Sequence, residues 1–152
     1  VQILTTLRNN DFVEWTSAFS VQIATFDSHH QQLIRLINRL YQSMETGKGD
    51  VELLKILQEL IDYTDYHFSA EEKAFKAFGF PEAAEHIEMH QALLKQARAL
   101  YKDLSSGRSV LSNEVLDFLQ DWVMNHILKA DTHYSSYLKE KDVDSLVGSY
   151  QK

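Results

Sequence analysis

Residues 51–77, VELLKILQELIDYTDYHFSAEEKAFKA, decide how the rest of the chain is read. Leu54, Ile56, Leu57, Leu60, Ile61 and Tyr63 recur at helical spacing, and the same stripe continues through His67 and Glu71 to Phe75. At ~100° per residue these positions share one face of a helix. The stripe is therefore apolar along most of its length but carries a histidine and an acid, four residues apart, near its C-terminal end. FGFP at 78–81 closes the segment. Phe68 and Glu72, off that face, are read as directed elsewhere.

Three more segments repeat the pattern. One runs from about Ser20 to Glu45, with Ile23, Phe26, His30, Leu33, Ile34, Ile37 and Leu40 on its stripe, and ends in TGKGD at 46–50. Another starts near Pro81, a favourable first-turn residue, and passes Ile87, His90, Leu94 and Ala97 to about Leu104; SSGRS at 105–109 turns the chain. The last, about Ser112 to Glu140, presents Val115, Phe118, Leu119, Trp122, Val123, His126, Ile127 and Ala130, with Ser112 placed to cap it. Short connections between long helices favour antiparallel neighbours. The expected fold is all-α: an antiparallel up-down-up-down four-helix bundle over about 20–140, within a single domain 1–152. Residues 1–19 form an N-terminal arm packed through Phe12, Trp15 and Phe19, and the tail 141–152 forms a short helix.

At 152 residues the chain can bury a core of its own. A net charge of −7 without clustered Lys and Arg argues against nucleic acid as a partner. The absence of cysteine excludes disulfides, thiolate metal sites and thiol catalysis. A reducing, cytoplasmic compartment fits, and no apolar run approaches the length of a membrane span. The start at Val1 rather than Met hints at an excised domain or processed chain.

Histidines fall on all four helices: His29 and His30, His67, His86 and His90, His126 and His133. His67 with Glu71, and His86 with His90, are pairs four residues apart that share a face. Several imidazoles facing one bundle axis are costly to bury without partners, and metal coordination satisfies them directly. His30, His67, His86, His90 and His126, with Glu71 and one further carboxylate, exceed the needs of a four-coordinate zinc site, so two ions are implied. Imidazole with carboxylate suits iron. A ferritin-like site would use Glu-x-x-His pairs, and none of these histidines has Glu three positions before it. Periodicity leaves the last position open, since His133, seven after His126, returns to the ligand face while Asp131, five after it, lies about 140° away.

Four pieces stand in order along the chain: I-x-x-x-D-x-x-H in IATFDSHH (23–30), HFSAEE (67–72), H-x-x-x-H in HIEMH (86–90), and W-x-x-x-H-I-x-x-x-D in WVMNHILKAD (122–131). From about Trp15 to Asp131 the chain resembles the hemerythrins, specifically the bacterial hemerythrin domains. The resemblance implies two irons, one held by His86, His90 and His126 and the other by His30 and His67. Glu71 and Asp131 would bridge them together with a solvent-derived hydroxo or oxo group, which leaves one coordination place for O2 on the two-histidine iron. The implied function is reversible O2 binding, as a carrier or store rather than an enzyme. The alternative is an O2- or redox-sensing regulatory domain attached to a signalling protein and using the same irons.

Two positions depart from the family. His29 stands where Gln or Glu is usual and is expected to face solvent or to support a ligand from outside. Val123 stands where Leu is common, among Trp122, Val123 and Ile127 as the lining of the O2 pocket. His133 is read as a non-ligand, and Asp27 either as a support for an imidazole or as a stabiliser of its own helix end. Tyr63, Tyr66 and Tyr134 are assigned no chemistry.

Overall fold

Helix propensity and the four stripes are realised in a computed structural model that describes residues 12–108, 110 and 112–147, with backbone alone at 127–129. Helix α1 spans Ala24–Glu45, α2 Asp50–Phe78, α3 Ala83–Ser105 and α4 Asn113–Asn125. The last of these runs through a π-helical segment, His126–Asp131, into α5, Thr132–Leu138, and a short α6 follows at Val143–Val147. α1 packs on α2, α2 on α3, and α4 on α1. The bundle is antiparallel and up-down-up-down, its fourth rod composed of α4, the π segment and α5. No helix among the described residues is long and apolar enough to cross a membrane.

Local chemistry sets the ends. Gly79 adopts φ 66°, where a side chain would be strained, and its N–H closes α2 on Phe75 O. Ser112 caps α4 through its side chain, which accepts from Val115 N. α1 begins four residues later than its stripe suggests because Asp27 holds the lead-in extended. Its Oδ2 accepts from Ser20 Oγ at 2.6 Å and its Oδ1 from Val21 N at 2.8 Å. Asp27 thus stabilises the helix end and supports no imidazole through these contacts.

The described part of the arm packs as expected. Val13 N–H donates to Asn38 Oδ1 and Asn38 Nδ2 donates to Val13 O, both at 2.7 Å. Phe12 stacks on Tyr41, Trp15 leans on Phe19, and Phe19 is buried. The expected arm before Phe12 and the tail beyond Val147 lie outside the described residues.

The core divides into two apolar clusters. One gathers Leu33, Ile37, Leu57, Leu60, Leu119 and Trp122, and the other gathers Phe26, Phe75, Phe80, Tyr134 and Leu138. Each fully buried side chain of this size contributes about 1.5–3 kcal/mol. Along α1, α2 and α4 the chain passes from one cluster to the other through a buried polar layer, which holds the histidines and acids singled out above.

Candidate metal centre

The layer is assembled from every rod of the bundle. α1 brings His30, α2 His67 and Glu71, α3 His86 and His90, and the π segment His126 and Asp131; all seven are buried. In a π turn the backbone bonds reach five residues instead of four, so His126 and Asp131 come to the same side. His126 Nε2 lies 2.8 Å from Asp131 Oδ1. The extra residue also shifts everything beyond it by one position. His133, which an unbroken α-helix would turn inward, is exposed, and Tyr134 takes its place, fully buried.

The two carboxylates divide the five histidines. Glu71 Oε2 lies 3.0 Å from His67 Nε2 and 3.6 Å from His30 Nε2. Its Oε1 lies 3.1, 4.0 and 3.9 Å from Nε2 of His90, His86 and His126. Asp131 repeats the division: Oδ2 is 2.8 Å from His30 Nε2 and 3.7 Å from His67 Nε2, while Oδ1 is 3.1 Å from His86 Nε2 and 2.8 Å from that of His126. Two groups capable of holding an ion result, His30, His67, Glu71 and Asp131, and Glu71, His86, His90, His126 and Asp131. Neighbouring donors on a six-coordinate ion with bonds of about 2.1 Å are about 3.0 Å apart, which matches the shorter of these separations.

The orphaned atoms argue for the same fit. Glu71 Oε1, Asp131 Oδ2, His90 Nε2 and His126 Nε2 are buried without a hydrogen bond among the described residues. Each nevertheless has a possible partner within about 3 Å. They fall short of hydrogen-bond geometry with one another, yet lie together in the two ion-sized groups. Left so, each would cost about 1–3 kcal/mol; cations in those groups would satisfy all of them. The donor set, five imidazoles and two carboxylates without sulfur, suits iron.

Without such cations the charges fall on the histidines. Burial disfavours the His30 imidazolium, but the adjacent Asp131 and Glu71 outweigh it and raise its pKa to about 9. Burial likewise opposes His126, and Asp131 with Glu71 lifts it to about 10. Burial would push Glu71 and Asp131 up, yet the surrounding histidines hold both well below the usual carboxylate range. Burial, then the charges of His67 and His30, press His29 down to about 3.

Around the seven lies a ring of supports, which sequence periodicity does not assign. His29, expected to face solvent or to support a ligand, does not face solvent: it is 1% exposed, and its Nδ1 is 2.9 Å from Nδ1 of His67. Its 100° offset from His30 points it into the α1–α2 seam, against Phe26, Tyr63 and Tyr66. Phe68 and Glu72 do not point away from the site. Phe68 stacks on the His90 ring at 3.7 Å, and Glu72 Oε2 accepts from His90 Nδ1 at 2.9 Å. Tyr134 O–H donates to Glu71 Oε2, so one of the tyrosines left without a role touches a carboxylate of the layer. The signal available in the sequence was its position three after Asp131.

Two cavities border the layer. A small one of about 10 Å³ is walled by Leu33, Thr64, Phe68, Trp122, Val123 and His126. A larger one of about 500 Å³ opens between α3 and α4 and has His86 and His126 in its wall. The side chain of Ile127, expected beside Val123, lies outside the described residues.

A four-helix bundle with a buried layer of histidines and shared carboxylates, divided into two ion-sized groups, defines a dinuclear metal-binding bundle protein. The Hemerythrin HHE cation binding domain family matches residues 21–138. The chain is 31% identical over 125 residues to a bacteriohemerythrin of Methylococcus capsulatus, covering 82% of this chain and 95% of that one. It is 27% identical over 124 residues to a hemerythrin-like protein of Naegleria gruberi, covering 82% and 92%. Its fold superposes on a crystal structure of wild-type hemerythrin with a TM-score of 0.79 at 30% identity, over 84% of this chain and 98% of that one. The chain belongs to the hemerythrin family.

Proposed function

We propose that this chain binds O2 reversibly at a centre of two iron ions, as an oxygen carrier or store and not as an enzyme. The observation that carries the reading is the division of each carboxylate, one oxygen to the two-histidine group and one to the three-histidine group. In this reading His30 and His67 hold one iron, His86, His90 and His126 the other, and Glu71 and Asp131 bridge them. When bound, the ferrous pair supplies the two electrons that O2 takes up and returns. The match over residues 21–138 supports reading the chain as one hemerythrin domain.

The protein's own part is to place, support and partly cover the site. Glu72 and His29 meet the outer nitrogens of His90 and His67, and the Tyr134 hydroxyl meets Glu71. Such partners fix the orientation of metal-binding groups. Phe26, Phe68 and Phe75 cover His67, His90 and His86 with apolar rings, while His86 and His126 also border the larger cavity. The small cavity, with Trp122 and Val123 in its wall, has room for about one water-sized molecule and is walled mostly by apolar side chains. Of the seven inward residues only His126, of the three-histidine group, lines it.

Iron analysis combined with visible absorption of the anaerobically reduced protein tests the reading. About two irons per chain and a charge-transfer band that appears in air and fades when O2 is removed are expected. One zinc per chain, or irons that oxidise without a reversible band, would overturn it.

A further inference from the structure

The inward histidines differ in what stands behind them. His90 Nδ1 donates to Glu72, a carboxylate with 24% of its side chain exposed. Behind His67 stands a second ring, His29, with the two Nδ1 atoms 2.9 Å apart. His67 turns Nε2 toward Glu71 and His30, so as a ligand through Nε2 it carries its proton on Nδ1 and must donate. His29 then accepts on Nδ1 and keeps its own proton on Nε2. That nitrogen has no hydrogen-bond partner among the described residues and sits among the rings of Phe26, Tyr63 and Tyr66. The acceptor behind His67 is an uncharged ring; the acceptor behind His90 is an anion.

A ligand imidazole that donates to a carboxylate becomes more basic and a stronger electron donor to its metal. Stronger donation favours the ferric state. We propose that His29 is a positioning residue that fixes His67 as a donor and, by accepting from it as a neutral ring, holds the two-histidine iron poorer in electrons than its carboxylate-backed neighbour. The device resists loss of an electron at that iron. It rests on the di-iron reading above.

The test compares the iron-loaded parent with His29→Gln, His29→Glu and Glu72→Gln, reading the midpoint potentials by redox titration and the oxidation rate of the reduced protein in air. His29→Gln keeps a neutral acceptor and restores potentials near those of the parent. His29→Glu brings a carboxylate behind His67 and lowers the potential by about tenfold in the one-electron equilibrium, ~59 mV, with faster oxidation in air. Glu72→Gln removes the anion behind His90 and raises the potential. If His29→Glu does not load, His29→Leu decides the matter: it removes the acceptor behind His67, so a raised potential in His29→Leu with parent-like values in His29→Gln supports the proposal, and parent-like values in both overturn it. Potentials unchanged in both loaded acid and amide variants would make His29 a packing residue and overturn the proposal. A parent that takes up no pair of irons overturns the di-iron reading itself, before any variant is compared.

Discussion

Asp131 carries more of the centre than its place in the sequence suggests. It stands against His30 on one side and His86 and His126 on the other, buried with all three. Asp131→Asn removes the negative charge and leaves buried histidines uncompensated. We expect the metal-free protein to lose about 3–5 kcal/mol, read by urea denaturation, and iron uptake to fall below two per chain. Tyr134→Phe is milder, since the ring still fills its place and only the hydroxyl on Glu71 is lost. Folding should survive, while a chelator should extract iron about tenfold faster. Six of the seven inward residues were legible because they fall on or beside apolar stripes at helical spacing. Asp131 was not legible from periodicity, because i+5 is off-face in an α-helix, and it was found through family resemblance. His29, Phe68 and Glu72 were misread or left half-read for another reason: their partners sit on neighbouring helices, and no spacing within one helix states which helix lies alongside.

The element that reconciles spacing with geometry is the π segment. One additional residue between Asn125 and Thr132 turns Asp131 inward and exchanges His133 for Tyr134. Deleting Lys129 should convert the rod to continuous α-helix while keeping Tyr134, then seven after His126, on the buried face. Circular dichroism should show a folded helical protein of equal or greater thermal stability before metal is added, and iron uptake should stay near two per chain because Asp131, then four after His126, remains on the same face. Loss of iron from a folded deletion variant would contradict this account. At the other end of that rod, Ser112→Ala removes the cap on Val115 N and should cost about 1 kcal/mol, leaving iron stoichiometry at two. The helix count, the turns and the order of packing were readable from stripes and breakers. The late start of α1 was not, because it depends on a side chain, Asp27, that reaches back across its own first turn.

For the molecule as a whole, the polar layer links metal content to protons. In metal-free protein His30 and His126, at about 9 and about 10, are charged at pH 7. Both values lie above the ordinary histidine value, so the stabilisation they give the metal-free fold is present in full below about pH 6.5 and is lost as pH rises through 9 to 10. Metal loading must displace those protons. About two should be released from these histidines per chain at pH 7, with one more for a hydroxo bridge formed from water, measurable by calorimetry in buffers of different ionisation enthalpy, and apparent affinity should rise toward pH 9. Release of no more than the bridge proton would mean that the layer is neutral before metal arrives. Under the proposed ligation, each of the four rods contributes at least one bond to the metals. The pair of ions then does for this cysteine-free chain what cross-links do elsewhere: a backbone nick in any of the three inter-helix turns leaves the fragments fastened to one another, and they part only when iron is withdrawn.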